Sequence, residues 1–277
     1  IVFTNTAHAR NKLHYVTVEY AGGGGEQDDL ANVVLTGTGE VTSVELLHST
    51  LRYSGRHGLA VYGMGRLPGF ADNTLTQNAL GAARMASESA HGLDSTSRYV
   101  GNTIDEITVD TNRVRESVTW RAVGVPYIID AVLQIDGVWT LEPGVTLKMK
   151  PSTSILINGG QTSMNAVGTA AAPIVITGTE RTPGSWRSII FSDTTHPSNV
   201  FEHVTVEYAG GSLDQDDVGA IVLTSAGQPI SMTLRSSTIQ HNLQHGLYLS
   251  RNATVNADVE AANTWADNAA GNVYREQ

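Results

Sequence analysis

The eight residues "VTVEYAGG" occupy positions 16–23 and return unchanged at positions 204–211, 188 residues later. The match spreads outward from them. "IVFTNTAHARNKLHYVTVEYAGGGGEQDDLANVVLTGTG" from residue 1 lies over "IIFSDTTHPSNVFEHVTVEYAGGSLDQDDVGAIVLTSAG" from residue 189, and "HSTLRYSGRHGLAV" lies over "SSTIQHNLQHGLYL". In that register about 27 of the first 62 positions are identical. A shared register of this length marks an internal duplication.

A finer repetition runs inside each copy. β-Branched triplets recur as "IVF" at 1, "VVL" at 33, "LAV" at 59 and "ITV" at 107, then "ILI" at 155, "IIF" at 189, "IVL" at 221, "LYL" at 247 and "VYR" at 273. A second series interleaves with them: "VTLKM" at 145, "IVITG" at 174, "VTVEY" at 204, "STIQHN" at 237 and "NTWADN" at 263. Strands this short cannot bury an apolar face alone, and a hairpin reading would need a close turn pair such as Asn-Gly between each strand and its neighbour. Stacking each strand on its equivalent one coil later solves the burial problem and makes every pairing parallel. The period of two then points Val16, Val18 and Tyr20 inward and Thr17 and Glu19 outward.

The turns fit the same reading. "DNTLTQN" at 72–78, "GNTIDEI" at 101–107 and "ANTWADN" at 262–268 place Asn-Thr at one corner, where Asn tolerates a left-handed backbone and its amide bonds the same residue one coil away. The expected fold is all-β, a right-handed parallel β-helix with an internal duplication. A first unit is expected over 1–118 and a second over 119–277, continuous or closely stacked. The Ala-rich stretch "GAARMASESAHGL" at 81–93 fits least well and leaves open a short helix on a loop.

The run "PGVTLKMKPSTSILINGG…GTAAAPIVITG…PGSWRSIIFSD" resembles the β-helix repeats of secreted bacterial proteins in the pectin-lyase-like superfamily. Residues 119–145, "TWRAVGVPYIIDAVLQIDGVWTLEPGV", are similar to the segment that opens a new unit there. The resemblance implies the fold and a secreted or cell-surface setting. It does not choose among lyases, hydrolases, esterases, adhesins and binding modules.

Composition narrows the classes further. The net charge of −10 argues against nucleic acid, because a phosphate backbone needs a basic stripe. No apolar run is long enough to span a bilayer. The absence of cysteine removes disulfides, Cys-ligated zinc and thiol nucleophiles together. The opening "IVF" reads as a strand already under way, so the natural start, with any export signal, is expected upstream.

Chemistry concentrates in two acidic loops, "EQDDL" at 26–30 and "DQDDV" at 214–218, each followed about 28 residues on by His57-Gly58 or His245-Gly246. The second copy looks like the polygalacturonase pattern of an Asp-Asp pair and a His-Gly on adjacent coils, which would make Asp216, Asp217 and His245 a catalytic group acting on a glycosidic bond. No Asn-Thr-Asp precedes the pair and no Arg-Ile-Lys follows the His. Two other readings stand beside it. Asp next to Gly-rich turns bonds backbone N–H groups and shapes the loop. Alternatively Glu26, Asp28 and Asp29, and in the second copy Asp214, Asp216 and Asp217, offer hard oxygen ligands for calcium. For lyase chemistry Arg235 and Arg251 are the available bases. No HExxH, P-loop, G-x-S-x-G or dinucleotide fingerprint is present.

Glu19 and Glu207 face outward from equivalent strands and are binding candidates, as is Tyr248. Val34 and Ala60 in one unit, and Ile190, Val222 and Tyr248 in the other, form an outward apolar row that needs a cover, whether loop, ligand or a second copy in self-association. The expected function is an extracellular or cell-surface module that binds polysaccharide or another surface partner. A polysaccharide hydrolase or lyase and a structural spacer are the alternatives.

Overall fold

The computed structural model describes every residue except 25–29, 212–217 and 226. The chain is an all-β parallel β-helix, and its contacts divide it into two compact units. One comprises Ile1–Thr111 with Arg121–Tyr127, the other Asn112–Trp120 with Ile128–Gln277.

In the second unit three ladders of parallel strands run side by side. One contains Ile155–Asn158, Ile189–Ser192, Gly219–Thr224, His245–Leu249 and Val273–Arg275, with Ile155, Ile189 and Ile221 in register. Another contains Ile174–Gly178, Val204–Glu207, Thr238–Gln240 and Thr264–Ala266. These are the two series read from the sequence. The third, from Val118–Trp120 and Val138–Leu141 to Ile230–Arg235 and Ala253–Val255, escaped that reading because its strands are broken by Thr, Ser, Asn and Glu.

Packing explains why strands so short persist. Two inward side chains per strand, such as Ile189 and Phe191, both fully buried, contribute roughly 3–6 kcal/mol. Ordering the backbone costs about 1–2 kcal/mol per residue, so a lone three-residue strand with its corners roughly breaks even. The ladder supplies the remainder by satisfying both edges of each strand. Large aromatics fill the interior where coils meet: Trp120 packs edge-on against Trp139 at 4.9 Å and Phe191 against Phe201 at 5.8 Å.

In the first unit Val2–Thr4, Ala31–Leu47, His57–Ala71, Ala83–Met85 and Ile107–Val109 form the main ladder. The two long strands turn a corner without breaking, with register shifts between Gly37 and Thr42 and between Ser43 and Glu45. Such irregularities bend a strand while keeping it paired. A separate sheet is built from Thr17–Glu19, Thr50–Arg52 and Thr74–Thr76. The Ala-rich stretch splits: Ala83–Met85 is a ladder strand, and Ser87–Gly92 is a 3-10 helix.

The duplication is written in the backbone as well as in the letters. Asn5, Tyr15, Tyr20, His48 and Tyr53 have positive φ, and so do Asp193, His203, Tyr208, Ser236 and His241, each 188 residues on. L-residues adopt this left-handed conformation at a cost, so its recurrence at five paired corners shows that the corner itself is inherited.

Two expectations are corrected here. Tyr20 does not point inward: its φ of 59° breaks the alternation, and its side chain is 75% exposed. Nor does the corner Asn take the left-handed conformation. The residue before it does at Asp72, Gln77, Gly101, His241 and Asp267, which frees the next amide for the ladder described below, while neither Asn263 nor the Ala262 before it is left-handed. The expected apolar row is covered in the first unit, where Val34 and Ala60 are fully buried in a cluster with Ala31 and Tyr62, against which Leu30 packs. In the second unit Val222 is fully buried, while Ile190 and Tyr248 are half-buried. Among the described residues no helix is long and apolar enough to cross a membrane.

Candidate functional site

The left-handed corners of the first unit stack into a column. Tyr20, Tyr53, Gln77 and Gly101 all have positive φ, and the chain is tied between rungs by Tyr53 N–H to Gln77 O (3.1 Å) and Gln77 N–H to Gly101 O (2.8 Å). The next position holds Ser54, Asn78 and Asn102. Ser54 N–H donates to Asn78 Oδ1 (3.0 Å) and Asn78 N–H to Asn102 Oδ1 (3.1 Å). Asn78 Nδ2 donates to Leu51 O (3.3 Å) and Asn102 Nδ2 to Leu75 O (3.0 Å). Each amide thus satisfies backbone groups that the corner takes out of the strand ladder. Asn102 stacks under Asn78 and not under Asn73, whose Oδ1 serves Ser49 N–H (3.0 Å) instead. "GNTIDEI" therefore belongs to the second Asn of "DNTLTQN".

On this frame side-chain size falls along the column from Tyr to Gln to Gly. Tyr20 and Tyr53 stack with centroids 5.2 Å apart and planes 9° from parallel. Beyond them the column drops away and leaves a groove of about 470 Å³, bordered by the two tyrosines and by Ser54, Gln77, Asn102 and Thr103. A second depression of about 510 Å³ shares Gln77 and Gly101 with it and adds Thr74, Thr76 and Arg98.

Beside the groove, Arg52 bonds Glu19 through Nε (2.8 Å) and lies 5.1 Å from the centre of the Tyr53 ring. The Glu19 carboxylate holds the Arg52 guanidinium above its ordinary pKa. In the second unit the equivalent Glu207 accepts from Thr177 Oγ1 (3.0 Å) and Gln240 Nε2 (2.9 Å), which are neutral donors. The aromatic column there is Tyr208 stacked on His241 (5.6 Å), closed by His241 Nδ1 to Asp267 Oδ2 (3.3 Å).

Of the remaining sequence candidates, His245 and Tyr248 are joined by a residue that the sequence did not single out. Tyr274 stacks on both, at 5.0 Å from His245 and 5.2 Å from Tyr248. Burial lowers the His245 pKa, against a raising contribution from the Gly271 backbone. Its first-unit counterpart His57 is lowered to about 4, by burial first and by the charge of Arg84 second. Gly follows each His because the next coil comes close: a Cβ at Gly58 would meet Ala82 O at 2.9 Å, and one at Gly246 would meet Asn272 O at 2.9 Å.

Glu26, Asp28, Asp29, Asp214, Asp216 and Asp217 lie outside the described residues, so neither the catalytic nor the calcium grouping is assembled. Among the described residues no group of three or more His, Asp or Glu side chains stands close enough to hold a metal ion. Glu19 is in the first unit, while Glu207 and Tyr248 lie in different sheets of the second.

Compared with family models, with curated proteins and with solved structures, the chain finds no significant match.

The groove residues Tyr53, Gln77 and Asn78 were not singled out from the sequence, and Asn102 was read only as a corner residue. The signal was present as the 24-residue steps from Tyr53 to Gln77 to Gly101 and from Ser54 to Asn78 to Asn102.

Proposed function

We propose that this chain is an extracellular or cell-surface β-helix module that binds polysaccharide, with the Tyr20–Tyr53 groove of the first unit as its binding site. The observation that carries the reading is a stacked tyrosine pair, Tyr20 exposed and Tyr53 half-buried, beside the exposed amide of Gln77 and the exposed hydroxyl of Thr103. A sugar ring presents apolar C–H faces and a rim of hydroxyls. The first match an aromatic wall, and the second match the Gln77 amide, which can both donate and accept. A shallow groove with a few convergent polar groups on a rigid scaffold fits a polymer better than a small enclosed ligand. The resemblance of residues 143–193 to the repeats of secreted pectin-lyase-like proteins supports the extracellular or cell-surface setting and leaves the ligand to the groove.

Affinity electrophoresis through gels containing a panel of plant, algal and bacterial polysaccharides tests this reading. Retardation by at least one polymer, reduced in Tyr53→Ala, is the expected result. Free mobility in every gel would refute it. Reducing-end and unsaturated-product assays on the same panel separate binding from cleavage.

A further inference from the structure

In each unit a tyrosine recurs at matching places on two consecutive coils. Parallel strands lie about 4.8 Å apart, so a side chain repeated in register stands directly over its counterpart. Tyr248 and Tyr274 are aligned strand to strand, with ring centroids 5.2 Å apart and planes 11° from parallel. Tyr20 and Tyr53 follow the aligned residues Glu19 and Arg52 and stack at 5.2 Å and 9°. One ring of each pair reaches solvent, Tyr20 with 75% exposure and Tyr274 with 42%, while Tyr53 and Tyr248 are half-buried. The chain has no cysteine, so no thiol competes for an oxidant and no disulfide ties one coil to the next.

We propose that both pairs are sites of oxidative coupling, each closing to a dityrosine that links consecutive coils, with hydrogen peroxide as the oxidant and a haem peroxidase as the catalyst. Each phenol gives up one electron to the peroxidase and its hydroxyl proton to water. The unpaired electron of the tyrosyl radical spreads to the ring carbons beside the oxygen, and one such carbon from each ring joins in a C–C bond. The hydrogen on each of those carbons then moves to its own phenol oxygen. One hydrogen peroxide takes up the two electrons and two protons and leaves as two water molecules. Stacking supplies what coupling in free solution lacks, because two radicals held side by side react in an intramolecular step. Exposure is a separate property: Tyr15 is 78% exposed, yet its ring stacks on His48 at 4.8 Å. A link between coils removes loop freedom from the unfolded chain, as a disulfide of the same span does. None of this depends on what the groove binds.

The test treats the full chain, kept dilute, with a haem peroxidase and hydrogen peroxide, and recovers the monomer by size exclusion in denaturant. The monomer should gain dityrosine fluorescence and lose the mass of two hydrogen atoms for each link. Proteolysis after Lys and Arg should release the Tyr53 peptide joined to that of Tyr20, and the Tyr274 peptide joined to that of Tyr248. Tyr20→Phe should lose only the first link and Tyr274→Phe only the second. The double variant should lose both, its monomer staying dark, and phenylalanine keeps the ring stack so that folding is preserved. Coupled wild type should unfold at a higher urea concentration than untreated protein, with no such rise in the treated double variant. Three results overturn the proposal: no dityrosine in the wild-type monomer, wild-type fluorescence in the double variant, or links that form without moving the urea midpoint.

Discussion

Tyr20 and Tyr208 stand 188 residues apart and hold the same left-handed backbone, with φ of 59° and 63°. Their ring partners have diverged. Tyr20 stacks on Tyr53, and the column then opens toward Gly101; Tyr208 stacks on His241, and the column closes on Asp267. Duplication preserved the corner and left its side chains free to take different work.

If the left-handed corners are inherited features of the coil, a β-branched residue placed there should be penalised while glycine is not. Ser236, exposed with φ of 50°, gives a clean test because its side chain lies at the surface. Ser236→Val should lower the unfolding free energy by about 1–2 kcal/mol, and Ser236→Gly should leave it nearly unchanged. Equal effects of the two substitutions in urea titrations would show that the corner is not strained.

The asparagine ladder should be costly to break in both copies. Asn78→Ala leaves the Ser54 N–H and the Leu51 carbonyl without their partner, and Asn268→Ala does the same to the Ile239 carbonyl and the Asn242 amide. Each should cost about 2–3 kcal/mol, the usual penalty for buried polar groups stranded without a bond. Losses below about 0.5 kcal/mol in either copy would mean that water replaces the amide freely.

These residues also show how far the sequence could be read. The two strand series, the stacking and the duplication follow from β-branched triplets and the repeated "VTVEY", because apolar periodicity is set by burial, which the letters report directly. The third strand series was hidden, since most of its outward positions are polar and its inward positions include Trp, Ala and Met. The corner was misassigned by one residue. Sequence statistics favour Asn for a left-handed backbone, yet here hydrogen bonding to the next coil claims the Asn, and Tyr, His, Gln or Asp accepts the strained position. The groove was invisible for a related reason: it arises from a size gradient across rungs, which needs the register between coils before it can be seen.

His57 makes stability depend on pH in a defined direction. Its folded pKa of about 4 lies below the ordinary histidine value, chiefly because burial disfavours the charged ring. The unfolded chain therefore takes up the proton first. Its contribution is fully present above about pH 6.5 and is lost as pH falls from there toward 4, by roughly 3 kcal/mol in total. His57→Gln should flatten that part of the stability profile. An unchanged slope between pH 6.5 and 4 in the variant would show that another group titrates there.

The stacked tyrosines should matter for binding and little for folding, since Tyr20 is largely exposed. Tyr20→Ala and Tyr53→Ala should weaken glycan binding at least severalfold, by loss of the aromatic wall, with far-UV circular dichroism unchanged. Wild-type affinity in both variants would remove the groove from the site.

Hydrogen–deuterium exchange with and without the retained polysaccharide tests the central claim most directly, because it reports where on the coil the ligand sits. Protection confined to peptides covering residues 53–55, 77–79 and 98–103 is the result predicted for binding in the tyrosine groove. Protection centred instead on residues 245–249 and 273–275, with the groove peptides unaffected, would contradict it.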